Sequence, residues 1–67
     1  MNSKAIGEVI RKRRASLRID QRKLGEISGI AVHTLSNLEV GKGNPTLGTL
    51  ERVLDALGME VRVEVKR

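Results

Sequence analysis

Apolar residues in the first quarter of the chain recur at helical spacing, with Ile6, Ile10 and Leu17 forming one stripe and Val9 beside it. Ser3 stands where an N-cap belongs, so the pattern predicts a first helix that opens there. Asp20 reads as the cap of a short second helix through Ser28, with Leu24 and Ile27 apolar and Gly29 as its stop. A third helix is expected from about Ala31 to Val40, with Leu35 and Leu38 facing inward and Gly41 closing it. The turn-forming run GKGNP follows, and Thr46 then caps a fourth helix striped by Leu47, Leu50, Leu54 and Leu57 and ended by Gly58.

Beyond Gly58 the period changes. Met59, Val61, Val63 and Val65 alternate with Glu60, Arg62, Glu64 and Lys66, the pattern of a half-buried strand. Nothing else in the chain reads as a strand, and a lone strand leaves its backbone groups without ladder partners. It therefore pairs with another chain or frays into a tail. Antiparallel pairing of two copies centred on Val63 sets Glu60 opposite Lys66, Arg62 opposite Glu64 and Val61 opposite Val65. Centring on Arg62 would oppose like charges, which is unfavourable. The Val63-centred ribbon is thus the expected register; the competing partner is a different protein with a free sheet edge.

Composition narrows the field. Sixty-seven residues make at most one domain, and a chain this short buries only about 60% of its unfolded surface. Cysteine is absent and a lone His cannot build a metal site, so neither a disulfide, a metal nor a cofactor is expected to reinforce the core. Oligomerisation is the reinforcement left. Phe, Tyr and Trp are absent too, so Leu, Ile and Val must build the core. A formal charge of +5 and a pI near 10.5 point to a polyanionic partner: DNA, RNA or an anionic lipid surface. No stretch approaches the ~20 apolar residues of a membrane span, and no apolar signal region opens the chain, so a cytoplasmic protein without a membrane partner is expected. An enzyme is a poor reading, because GKG lacks phosphate-loop spacing and one His has no acid or nucleophile constellation around it.

The most specific stretch is DQRKLGEISGIAVHTLSNLEVGK, Asp20 to Lys42: a helix, a tight turn holding Gly29, and a second helix. Gly25 and Ala31 are small enough to let the two helices approach closely. With Gln21, Leu24-Gly25, Gly29 and the run Leu38-Glu39-Val40-Gly41-Lys42, the chain resembles the Cro/phage-repressor (XRE) family of helix-turn-helix proteins over about Ile6 to Leu57.

That resemblance implies a mainly α, lambda-repressor-like helix-turn-helix bundle of four helices, with the C-terminal β-strand pairing across a homodimer. It implies a DNA-binding domain over 1–58 and a dimerisation strand and tail over 59–67. It implies that Val32, His33, Ser36 and Asn37 reach base edges in double-stranded DNA, Asn37 toward adenine and Val32 toward a thymine methyl. His33 bonds a guanine acceptor or a phosphate, or is simply an exposed His. Gln21, Thr34, Lys42, Gly43 and Asn44 are implied at phosphates, Gln21 also bracing the third helix. Arg14 and Glu39 match a structural salt bridge between the first and third helices, whereas Arg11 and Lys12 read as a solvated basic face. The strand residues Met59, Val61, Arg62, Val63, Glu64 and Val65 are implied at the dimer contact.

Three departures stand out. Arg18 occupies a position where the family often has Gly, so a non-Gly residue is expected in a left-handed conformation. Asp20 replaces a neutral cap, and Ala31 lacks the hydroxyl that commonly caps the recognition helix. A strand in place of a fifth helix resembles the HipB-like antitoxins, which repress their own operon and bind a HipA-like kinase toxin. The resemblance therefore implies a dimeric repressor of palindromic operators, an autoregulating antitoxin. The alternatives are a phage-type repressor and a protein-interaction module that neutralises a partner with little DNA binding.

Overall fold

The computed structural model describes residues 2–66; Met1 and Arg67, the outer ends of the two expected ranges, lie outside the described residues. Four helices are present among them: α1 (Ser3–Ser16), α2 (Gln21–Ser28), α3 (Val32–Glu39) and α4 (Leu47–Ala56). Helix α1 packs on α3, α3 on α2 and α2 on α4. The core is Ile10, Leu24, Leu35, Leu38, Val53 and Leu57, each essentially inaccessible to solvent.

The helix starts follow side-chain chemistry. Asp20 accepts from the Lys23 N–H at 2.7 Å, and Thr46 from the Thr49 N–H at 3.1 Å. At α1 the cap is Asn2 rather than Ser3: its Oδ1 accepts from the Ala5 N–H at 2.8 Å. Asn caps as well as Ser, and helical geometry begins one residue earlier.

Three of the helix ends share one geometry. Beyond α1, α3 and α4 a left-handed residue (Arg18 at φ +57°, Gly41 at +79°, Gly58 at +71°) turns the chain back. In each, the next two N–H groups return to the last turn: Arg18 and Ile19 to Ala15 and Arg14, Gly41 and Lys42 to Leu38 and Asn37, Gly58 and Met59 to Asp55 and Leu54. This Schellman arrangement brings the second residue past the cap back against the helix. Ile19 and Met59 pack on the core in that way. It also explains a correction: Leu17, expected in the α1 stripe, is the C-cap and 41% exposed, and Ile19 covers the core instead.

Two further apolar positions noted on α2 and α4 also lie outward. Ile27 and Leu47 are 52% and 60% exposed, whereas Val53, outside the expected stripe, is wholly buried. Helix α4 and its C-cap turn Leu50, Val53 and Leu57 toward the core, a spacing of three and four residues that is as helical as the stripe of leucines. The α1–α3 crossing depends on Gly7. A Cβ there would overlap the Leu38 carbonyl oxygen and lie 2.8 Å from that of Glu39.

No strand is assigned among the described residues. Residues 60–66 carry neither helix nor ladder, and Val63 and Val65 are 94% and 93% exposed. A strand whose partner is a second chain has no ladder to make within one chain. No helix is long and apolar enough to cross a membrane among the described residues.

Candidate nucleic-acid interface

Helices α2 and α3 meet at a turn built from Ser28 to Ala31. Gly29, at φ +73°, donates to the Gly25 carbonyl at 2.9 Å and ends α2. The buried Ser28 Oγ accepts from the Ile30 N–H at 3.2 Å, so the tight reversal leaves that donor satisfied. Gly25 lets the turn close: a Cβ there would lie 2.9 Å from the Ile30 carbonyl oxygen and 3.5 Å from Val32.

Helix α3 buries Leu35, Leu38 and Glu39 and turns the rest of its length outward. Val32, His33, Thr34 and Ser36 are exposed and Asn37 is half-buried, so these five side chains share one face and its flanks. Asn37 Nδ2 lies 3.4 Å from His33 Nε2, one helical turn away. Ala31 stands at the N-cap with no side-chain bond to the first turn, leaving the leading N–H groups of α3 uncapped.

Behind that face sits a charged brace. Arg14 Nε donates to Glu39 Oε2 at 2.6 Å and Arg14 Nη2 to Oε1 at 2.9 Å, a bidentate pair. Arg14 Nη1 also donates to the Ile19 carbonyl at 2.8 Å, and Gln21 Nε2 to Glu39 Oε1 at 3.2 Å. One carboxylate thus ties α1, the first residue of α2 and α3 together. Its side chain is 3% exposed. Burial pushes the Glu39 carboxyl toward its neutral form, but the hydrogen bonds from Arg14 and Gln21 and the Arg14 charge outweigh that and hold it below the usual carboxylate range. The same hydrogen bond to Glu39 raises Arg14, against the opposing effect of burial.

The loop after α3 is anchored by its own backbone. The Lys42 N–H is spent on the Asn37 carbonyl at 2.8 Å, so Lys42 offers its exposed side chain outward and not its amide. Gly43 and Asn44 are exposed and donate no backbone hydrogen bond among the described residues. Gln21 is half-buried at the start of α2, its amide group aimed at Glu39. The structure therefore brings Gln21, Glu39 and Arg14 into one cluster, holds His33 and Asn37 together on α3, and sets Lys42 to Asn44 just past the end of α3. Met59 packs on the core, while Val61 to Val65 lie along the C-terminal segment, away from these groups in sequence.

Two residues were passed over in the sequence. Arg22 and Lys23 are exposed in the first turn of α2, directly after Gln21, and Lys23 has an exposed Glu26 as neighbour at 3.8 Å. The signal was the run Gln21-Arg22-Lys23 right behind a cap, since basic groups there flank the start of the helix. Helix α3 itself has no Lys or Arg, so the positive charge of this unit stands on the first turn of α2 and on Lys42 past the end of α3.

A family model described as Helix-turn-helix (HTH_3) matches residues 10–63, most of the chain. No curated protein matches it.

Proposed function

The chain belongs to the helix-turn-helix family, a family of DNA-binding transcriptional regulators, and from that premise we propose that it is a repressor that binds a palindromic operator as a homodimer. The observation that carries this is the exposed face of α3, braced from behind by Arg14, Gln21 and Glu39, with Lys42 exposed just past its end. Val32, His33, Ser36 and Asn37 read base edges in the major groove. Asn37 offers an amide that can bond adenine N6 and N7, and Val32 a methyl surface for thymine. Gln21, Thr34, Lys42, Gly43 and Asn44 contact phosphates, the last two through free amides. Two such faces about 34 Å apart enter successive major grooves of one duplex.

We further propose autoregulation as an antitoxin. Its operator then lies upstream of its own reading frame, and a HipA-like kinase is the partner it neutralises. A second reading, a module that binds a partner protein with little DNA binding, is favoured by the exposed valines of residues 60–66. Substituting Gln21, Asn37 and Lys42 together separates the two, since the repressor loses its DNA and the module keeps its partner. The decisive measurement is binding to the upstream DNA across a salt series. A repressor loses affinity steeply as salt rises, because each neutralised phosphate releases counterion. Weak binding that is flat across salt would defeat the proposal.

A further inference from the structure

An apolar groove lies open beside the C-terminal segment. It lies between α1 and α4, with a volume of about 260 Å³, and is lined by Ile6, Val9, Leu47, Leu50, Leu54 and Val61. Val9 and Leu47 are 47% and 60% exposed at its edges. Exposure rises along the segment: Met59 packs on the core, Val61 is 44% exposed, and Val63 and Val65 are almost bare. The chain thus enters the groove with Val61 and leaves it with two β-branched side chains in water.

Alternate residues of a strand point to one face, so Val61, Val63 and Val65 share a face, with Arg62 and Glu64 on the other. A two-stranded ribbon is marginal until its apolar face packs against something, for example a helix. We propose that the groove between α1 and α4 is the seat of the C-terminal segment of a second copy, so that strand pairing and groove filling are one interface. This rests on the homodimer reading and names the surface that carries it.

The segment's own charges select that occupant. Paired antiparallel about Val63, Glu60 meets the partner's Lys66 and Arg62 the partner's Glu64, so the sequence is complementary to itself. The same register lays the partner's Val65 beside Val61, the residue that already lines the groove. Two-fold symmetry repeats each contact, and both grooves are covered by the valine face of one ribbon.

The test uses the full chain in sedimentation equilibrium, with Ile27→Lys as a control at an equally exposed apolar residue outside the groove. Leu47→Lys is expected to weaken dimerisation at least about tenfold, roughly the equivalent of 1.4 kcal/mol, with Ile27→Lys unchanged. Helical content by circular dichroism checks that both variants fold. Because the chain has no cysteine, Val63→Cys is expected to crosslink to itself on oxidation. Val61→Cys and Val65→Cys should crosslink only when mixed. A wild-type dimer that tolerates Leu47→Lys overturns the groove as the seat and leaves the dimeric repressor standing. A wild-type chain that stays monomeric at micromolar concentration overturns both the interface and the homodimer, while its binding to a DNA half-site is read independently.

Discussion

The α2–turn–α3 unit and the C-terminal segment are about equally apolar in pattern, yet the chain treats them oppositely. In the first, Leu24, Leu35 and Leu38 are buried, Glu39 has three hydrogen bonds from side chains, and every cap is met except at Ala31. In the second, three valines alternate as regularly as in any strand, and two of them are left almost fully exposed. A helix satisfies its backbone within itself, so an apolar stripe needs only a neighbouring helix to cover it. A strand satisfies its backbone only through another strand. The difference in burial follows from that difference in where the hydrogen bonds must come from.

The comparison breaks hardest at the buried brace. Arg14→Met leaves the Glu39 carboxylate buried without its guanidinium and is expected to destabilise the fold by about 3–5 kcal/mol in urea unfolding. If the loss is below about 1 kcal/mol, the brace is not what holds α3 to α1. Acid should act on the same group more gently, since it neutralises the carboxylate without deleting a partner. Glu39 is depressed in the folded state, so its contribution is complete above the unfolded value near 4.3 and is lost as pH falls below that. Thermal melts between neutral pH and about pH 3 should show a fall that begins only below that value and is absent in Glu39→Gln.

Smaller effects sharpen the contrast. Asn37→Ala is expected to cost about 1–3 kcal/mol of operator affinity and to relax preference at one base position, leaving urea stability nearly unchanged. Ala31→Ser supplies the missing cap at the start of α3 and should stabilise the chain by about 1 kcal/mol, read in the same urea titration. At the far end of the scale, Val63→Ser should move the stability of the dilute monomer by no more than about 0.5 kcal/mol, because that side chain touches little within one copy. A large loss in the dilute monomer would show that the segment is held by its own body and not by a partner.

Much of the bundle was legible before any coordinates. Asp20, Thr46 and the glycines after α2, α3 and α4 bound their helices through local chemistry that no tertiary contact needs to arrange. The left-handed Arg18 was legible only through the resemblance to a family that often has Gly at that position. Of the candidate interface, the exposure of Val32, His33, Thr34 and Ser36 follows from the inward positions of Leu35 and Leu38 on the same helix. Less legible were Gly7, Ser28 and Val53, whose roles come from what approaches them: a carbonyl of α3, the amide of Ile30, and the rest of the buried core.

The sequence alone determined the bounds of α2, α3 and α4 to within a residue, the basic character of the molecule and the family it belongs to, because caps, breakers, charges and motif spacing act within a few residues of themselves. The tertiary structure decided which apolar residues are inside, placing Val53 and Ile19 against the core while Leu17, Ile27 and Leu47 stay outward, and it joined Arg14, Gln21 and Glu39 into one cluster. A helix of eight to fourteen residues can turn about its axis by a fraction of a step without altering its own hydrogen bonds. Only contact with its neighbours sets that rotation, so burial at the edge of a stripe is a property of the assembled bundle.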